Sequence, residues 1–156
     1  QMDVKHAFLQ GDLEEQVYMV QPPGFQSELN KSVVCRLKKS LYSLKQAPRA
    51  WNSKLMHWLH KMGFAASKFD PSLLIQNGSE GSVCILLYVD DLVITDPDLT
   101  AISKVKSQLS EAFEMKDLVY LHYFLEIEVI HTPDGILSSQ RHYVLTMLFR
   151  FNMMEC

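Results

Sequence analysis

The chain has 156 residues, the size of one globular domain, and 47% of them are hydrophobic, which is enough to form a core. A net charge of −3 does not by itself indicate nucleic-acid binding. The longest apolar run is too short for a membrane span, and the first residues lack the features of a signal peptide, so we expect an intracellular protein. The three cysteines, at positions 35, 84 and 156, are too far apart to indicate a zinc site and favour reduced thiols.

The first half of the chain is predicted to contain few regular elements. Residues 1–9 should form a short strand, and residues 10–34 should be irregular apart from a strand over 17–20. A helix is expected from Pro48 to just before Gly63, because proline suits the first helical position and glycine suits the residue after the last. The apolar side chains at helical spacing, which should face the core, are Trp51, Leu55, Trp58, Leu59 and Met62.

The second half alternates strands and helices. Strands are expected over residues 72–76, 82–88, 92–95, 123–130 and 136–139, and helices over 99–114 and 142–153. Asp98 is the expected N-cap of the first of these helices. The apolar stripe of that helix should consist of Ile102, Val105, Leu109, Ala112 and Phe113. This order predicts an α+β fold, in which an antiparallel sheet carries helices on one face.

Charge is unevenly distributed along the chain. Between Leu29 and Phe69 there is no acidic residue, while the same stretch holds nine of the fifteen lysines and arginines. A basic segment beside an acidic site suits a protein that grips phosphates and binds metal ions. The alternative is a solvated, lysine-rich surface.

The pair Asp90-Asp91 lies between two apolar runs that are predicted strands, so it falls at the bend of a hairpin. Adjacent carboxylates repel each other, and a bound cation would offset that repulsion. The hard oxygen donors favour Mg²⁺ or Mn²⁺. The alternative is that the two aspartates open a solvated turn.

Several further segments fit one pattern. They are residues 2–13 (MDVKHAFLQGDL), 17–19 (VYM) with 21–25 (QPPGF), 35–42 (CRLKKSLY) with 44–51 (LKQAPRAW), 115–118 (MKDL), and 123–125 (YFL) with 127–129 (IEV). In this order, and over nearly the whole chain, they resemble the reverse transcriptase domain of Ty1/copia-type retrotransposons. The resemblance is to the central palm fragment of the Pol polyprotein.

The resemblance implies a polymerase palm with a partial fingers segment. Palm residues would be 1–9 and 41–129, and residues 10–40 would belong to the fingers. Residues 130–156 would form a hairpin strand and a helix leading out of the palm. The partners implied are an RNA template, a DNA primer, deoxynucleoside triphosphates and the rest of the polyprotein, namely the thumb, ribonuclease H and integrase. The resemblance also implies that the protein would act in a cytoplasmic virus-like particle if it belongs to an active element, without a membrane.

The resemblance also assigns roles to residues. Asp3, Asp90 and Asp91, with the Val4 carbonyl as a further ligand, would hold two Mg²⁺ ions, which Mn²⁺ could replace. Phe8 would screen the sugar of the incoming nucleotide, although the sequence alone favours core packing for this residue. The remaining roles are nucleotide binding by Tyr42, Lys45 and Gln46, primer or template contact by Tyr88, Arg49 and Leu125, and general acid catalysis by Lys116.

The chain departs from the family pattern at five positions. Ser43, Asp96, Val119 and Glu126 stand where the family has glycine, and His6 replaces an asparagine. A β-branched Val119 would be strained at positive φ, and Glu126 would repel a primer backbone. Two hypotheses therefore remain: an RNA-directed DNA polymerase that transfers deoxynucleotidyl groups to a primer 3′-hydroxyl, and a decayed, non-catalytic remnant that at most binds nucleic acid.

Overall fold

The structure is a computed structural model that describes residues 1–26, 33–78 and 81–154. Lys31 of the basic stretch, part of the predicted loop at 77–81, and Cys156 lie outside the described residues. Cys35 and Cys84 are free thiols, as expected. Every helix in the described residues is too short or too polar to span a bilayer.

The described residues form four helices and eleven strands. The helices are α1 (Ala7–Gln10), α2 (Ala47–Lys61), α3 (Leu99–Ala112) and α4 (Arg141–Arg150). The strands are β1 (Met2–Val4), β2 (Tyr18–Val20), β3 (Val34–Arg36), β4 (Ala65–Ala66), β5 (Leu73–Asn77), β6 (Ser82–Tyr88), β7 (Asp91–Thr95), β8 (Met115–Asp117), β9 (Tyr123–Phe124), β10 (Ile127–Thr132) and β11 (Gly135–Ser139).

The main sheet has six antiparallel strands in the order β4-β5-β6-β7-β1-β8. The first strand of the chain is therefore inserted between β7 and β8, far from its sequence neighbours. The strands of two smaller antiparallel sheets, β11-β10-β9 and β2-β3, are not hydrogen-bonded to strands of the main sheet. All strand pairs in the described residues are antiparallel and four helices accompany them, which agrees with the predicted α+β class.

One face of the main sheet carries the core. In β6, Val83, Ile85 and Leu87 are buried while the residues between them are partly exposed, as the twofold period of a strand requires. These side chains form one apolar cluster with Leu55 of α2 and Leu109 of α3. Helices α2 and α3 therefore cover this face, and the other face is left for the acidic groups described below.

Most predicted helices and strands are present, and Asp98 caps α3 by accepting a hydrogen bond from the Thr100 N–H at 2.8 Å. The strand predicted over residues 1–9 is wrong beyond Val4, because His6 adopts a left-handed conformation (φ 51°) that turns the chain into α1. The strand predicted over 123–130 is interrupted at Leu125 and Glu126, which have φ of 50° and 63°. Ala112 was expected in the apolar stripe of α3 but is exposed.

Gly11 allows the segment after α1 to approach α2 closely. A Cβ at this position would lie 2.8 Å from the Trp51 backbone nitrogen and 3.1 Å from the Ala50 carbonyl carbon. The Gly11 carbonyl accepts a hydrogen bond from the Ser40 N–H at 3.0 Å. Lys54 of α2 adds an ion pair with Asp12 at 2.8 Å. The N-terminal segment is thereby fixed against α2.

We predict that Gly11→Ala lowers the free energy of unfolding by about 1–3 kcal/mol, because the new methyl group would press on helix backbone that cannot rotate away. Chemical denaturation measures the effect. Gly81→Ala is the matched control, since the nearest atom to its new Cβ, on Asp96, would be 3.8 Å away. Equal losses in the two variants would contradict the close packing of this segment.

Candidate active site on the open face of the sheet

Strand register brings two distant aspartates together. Asp3 of β1 is paired with Asp91 of β7, and the preceding pair, Met2 and Leu92, is fully buried on the helix side. Side chains alternate along a strand, so Asp3 and Asp91 lie on the open face. Directly paired residues in antiparallel strands have Cα atoms about 4.5–5.5 Å apart. Two carboxylates that are far apart in the sequence thus become neighbours.

The third aspartate lies in the bend between β6 and β7. Tyr88 pairs with Asp91, which leaves Val89 and Asp90 as a two-residue loop. Val89 has φ 54°, a conformation that is costly for a β-branched residue. The bend is held from two sides: the Trp51 indole N–H donates to the Val89 carbonyl at 2.7 Å, and the Val4 N–H donates to the Asp90 carbonyl at 2.8 Å.

The electrostatics of the bend reflect this crowding. The pKa of Asp90 is raised above the ordinary aspartate value, first because the surrounding protein desolvates its carboxylate, and also because Asp91 and Asp3 add negative charge nearby. A backbone hydrogen bond opposes the rise. Asp90 is therefore close enough to Asp3 and Asp91 for their charges to act on it.

The donors suit a hard divalent cation in kind, but their side chains are not gathered around one point. Among the described residues, no three side chains of the types His, Cys, Asp and Glu lie close enough together to hold a metal ion. The pairing of Asp3 with Asp91, and the attachment of Asp90 to Val4, would allow the Asp3 and Asp90 carboxylates to converge on Asp91 by side-chain rotation. Val4 itself is buried.

A groove of about 560 Å³ opens beside the carboxylates. Its walls are residues 88–91 and residues 123–126, so Asp90 and Asp91 share it with two of the three predicted primer contacts, Tyr88 and Leu125. The Tyr88 ring stands edge-on to Phe124, with centroids 6.3 Å apart. Glu126 also lines the groove and adds a third acid to its walls.

The predicted nucleotide-binding residues form a separate group. Phe8 and Tyr42 are in edge-to-face contact with ring centroids 5.2 Å apart. Gln46 is the N-cap residue of α2, directly before Ala47, while Lys45 and Arg49 are exposed. None of these five residues lines the carboxylate groove.

Lys116 occupies a position that its sequence context did not indicate. It lies in β8 directly opposite Asp3, so Asp3 has Asp91 on one side and Lys116 on the other. Because paired residues of neighbouring strands face the same side of a sheet, all three are on the open face. The candidate general acid is thus a neighbour of a candidate ligand.

The positions that depart from the family pattern fall into two groups. Val119 and Glu126 have φ of 65° and 63°, so the strain expected at Val119 is present and Glu126 shares it. Ser43 and Asp96 do not have positive φ. Instead, the Asp96 carboxylate accepts a hydrogen bond from the Asp98 N–H at 2.6 Å, just before α3. His6, the fifth position expected to depart from the family pattern, is also left-handed.

Two groups at the site carried no sequence signal. Trp51 was predicted only as a core residue, and its hydrogen bond to the bend depends on a contact across 38 positions of the chain. Gln1 donates from its side-chain nitrogen to Asp91 Oδ1 at 2.9 Å. The fold brings Trp51 to the Val89 carbonyl and Gln1 to the Asp91 carboxylate, and neither contact is marked by a sequence motif.

Comparison with known proteins identifies the class. A family model described as "Reverse transcriptase (RNA-dependent DNA polymerase)" matches residues 1–156, and the chain belongs to this family. Its relatives are copia-type Pol polyproteins. The chain is 47% identical over 153 residues to the retrovirus-related Pol polyprotein from transposon RE1 of Arabidopsis thaliana, covering 98% of the chain and 10% of that protein.

Two further relatives extend the range of hosts. The Pol polyprotein from transposon TNT 1-94 of Nicotiana tabacum is 42% identical, over 98% of the chain and 12% of that protein. The putative transposon Ty5-1 protein of Saccharomyces cerevisiae is 36% identical, over 92% of the chain and 47% of that protein. The chain therefore spans about a tenth of the length of the plant polyproteins. No solved structure matches it.

The backbone strain at Val119 predicts that replacing this residue by glycine stabilises the fold. Because a left-handed conformation costs an L-residue about 1–2 kcal/mol and Val119 is largely exposed, Val119→Gly should raise the free energy of unfolding by up to about 1 kcal/mol. The control is Val20→Gly, at an exposed strand position, which should lower it. A loss of stability in Val119→Gly as large as that in Val20→Gly would contradict the strain.

The raised pKa of Asp90 predicts a pH-dependent gain from its removal. The folded chain binds the Asp90 proton more tightly than the unfolded chain, so ionisation costs stability as pH rises through the folded-state pKa. Without divalent cations, Asp90→Asn should therefore raise the melting temperature near neutral pH. The gain should vanish below the unfolded value of 3.8.

When melting temperatures are measured by calorimetry, Asp70→Asn should shift the melting temperature in the opposite direction to Asp90→Asn. The pKa of Asp70 is lowered by hydrogen bonds from the Ser72 side chain and backbone, so loss of its charge should reduce stability near neutral pH. If both variants moved the melting temperature in the same direction, the desolvation of Asp90 would not be the cause.

Proposed function

We propose that this chain forms the central part of a retrotransposon reverse transcriptase that synthesises DNA on an RNA template. The reaction is transfer of a deoxynucleotidyl group to the 3′-hydroxyl of a DNA primer, with release of pyrophosphate. The observation that carries this proposal is the pairing of Asp3 with Asp91, next to Asp90, on the open face of an antiparallel sheet. Family membership supports the same reaction.

Asp3, Asp90 and Asp91, with the Val4 carbonyl, are the proposed ligands of two Mg²⁺ ions, which Mn²⁺ could replace. When bound, such ions lower the pKa of the attacking hydroxyl and neutralise charge on the triphosphate. The raised pKa of Asp90 fits this role, because a cation would favour the ionised carboxylate. Lys116, opposite Asp3, is within the same group and is the proposed proton donor to pyrophosphate.

The remaining proposed roles are divided between the residues that line the carboxylate groove and the separate group around Phe8 and Tyr42. Tyr88 and Leu125, on facing walls of the groove, would contact the primer terminus. Phe8, held edge-on to Tyr42, would exclude a 2′-hydroxyl from the incoming sugar, while Tyr42, Lys45 and Gln46 bind the nucleotide. Arg49, exposed on α2, would contact template phosphates together with the basic stretch before it.

The proposed domain organisation is a palm over residues 1–9 and 41–129, a partial fingers segment over 10–40, and an exit from the palm over 130–156. The six-stranded sheet supports the first, because β1 pairs with strands from the later segment. The separate β2-β3 sheet supports the second. Thumb, ribonuclease H and integrase would be partners in the polyprotein, and the site of action would be an intracellular, cytoplasmic virus-like particle.

An inactive remnant is the alternative that a specific observation favours. Glu126 lines the groove opposite the carboxylates and is strained at φ 63°. A carboxylate there would repel the phosphates of a primer in that groove, since like charges in a confined site are poorly screened. Glycine would remove both the charge and the strain.

Primer extension on an RNA template, with Mg²⁺ and the polypeptide that contains this chain, distinguishes the two. If the enzyme is active, Asp90→Asn and Asp91→Asn should each reduce extension to background, whereas Asp134→Asn, in the exposed turn between β10 and β11, should not. Residual activity in either of the first two variants would refute the metal assignment. If the chain is a remnant, extension should appear only after Ser43→Gly and Glu126→Gly are combined. No gain from that pair would refute damage at these two positions as the cause.

A further inference from the structure

Gln1 is a buried polar residue beside a proposed metal ligand. Only 8% of its surface is exposed. Its side-chain nitrogen donates to Asp91 Oδ1 at 2.9 Å and to the Tyr123 backbone carbonyl at 3.1 Å. Its backbone carbonyl accepts a hydrogen bond from the Leu118 N–H at 2.9 Å. The side-chain bonds are thus additional to the backbone pairing that already holds this segment.

The orientation of the Gln1 amide is fixed by its partners. An amide nitrogen has two N–H groups, and both have an acceptor here. Exchanging the amide nitrogen and oxygen would put an acceptor against two acceptors, which is unfavourable. The residue therefore acts as a donor clamp, with one arm on Asp91 and the other on β9.

The two arms join the two walls of the groove. Asp91 belongs to the wall at residues 88–91, and Tyr123 belongs to the wall at 123–126. With Oδ1 of Asp91 held by one hydrogen bond, rotation of the carboxylate is restricted while Oδ2 stays free to bind a cation. Groups that orient a ligand in this way commonly change metal affinity by 10–100-fold.

Gln1 is also neutral, and this matters for its role. A lysine or arginine at the same place could hold Asp91 equally well, but its charge would compete with a divalent cation for the carboxylate. A neutral donor fixes the geometry and leaves the negative charge of Asp91 available. We propose that Gln1 is a positioning residue that orients Asp91 for divalent-cation binding, a role that rests on the proposed function of the carboxylates.

The test compares Gln1→Met, which keeps the length of the side chain but removes the donor, with wild type. Binding of Mn²⁺ to the 156-residue chain is measured by the loss of the free-ion paramagnetic signal. The Mg²⁺ dependence of primer extension is measured in the polypeptide that contains it. We expect Gln1→Met to raise the half-saturating cation concentration at least about tenfold. The maximal rate and the KM for deoxynucleotide should change much less.

Two further variants separate positioning from stability. Gln76→Met removes a side-chain hydrogen bond to the Met62 carbonyl, far from the carboxylates, and should leave cation binding unchanged. Gln1→Lys keeps a donor to Asp91 and so preserves folding if Gln1→Met does not fold. It should weaken cation binding because its ammonium group competes with the ion. In folded Gln1→Met, a purely structural role for Gln1 predicts wild-type Mn²⁺ affinity, and wild-type affinity in Gln1→Lys would contradict competition between the ammonium group and the ion.

Each outcome bears on a different claim. Wild-type Mn²⁺ dependence in Gln1→Met, or the same shift in Gln76→Met, would overturn the positioning role. Weaker Mn²⁺ binding in the Gln1 variants of a chain that fails to extend primers would support this role while the proposed polymerase activity fails. No Mn²⁺ binding to the wild-type chain would overturn both.

Discussion

Strand β1 is paired on both edges, and this pairing determines where the three aspartates of the site lie. Its central residue, Asp3, has Asp91 on one side and Lys116 on the other, while Val4 binds the backbone of Asp90. The burial of Met2 and Val4 against the helices fixes the register, since a shift by one residue would turn Asp3 into the core. A three-residue strand thus assembles a site from segments almost ninety positions apart.

The bend that carries Asp90 is costly, and its surroundings explain how it persists. Val89 is left-handed, and the Asp90 carboxylate is desolvated beside two other acids. Against these costs stand the hydrogen bonds from the Trp51 indole and the Val4 N–H, each made by a buried residue. Strain that is held by a rigid core is typical of a functional site. The strained Val119 is held differently: its carbonyl accepts a hydrogen bond from the Gln1 backbone nitrogen at 3.0 Å, and its N–H donates to Asp117 Oδ1 at 2.8 Å.

The sequence predicted secondary structure best in long elements, where the pattern of buried side chains repeats several times. Helices α2 and α3 and strands β6 and β7 were predicted because a buried stripe repeats over many residues. Strands β3 and β8 were not, since three residues carry no period and their pairing comes from distant partners. The acidic residues were found by their motifs, whereas the contacts of Trp51 and Gln1 could not be, because amide and indole hydrogen bonds leave no pattern in a sequence.

The central claim is that Asp3, Asp90 and Asp91 bind the same divalent cations. Crystals of the chain soaked in Mn²⁺ and measured at the manganese absorption edge test it most directly. The prediction is an anomalous peak coordinated by carboxylate oxygens from all three residues, and its loss in crystals of the Asp91→Asn variant. A peak elsewhere, or an ordered site without one at saturating Mn²⁺, would contradict the claim.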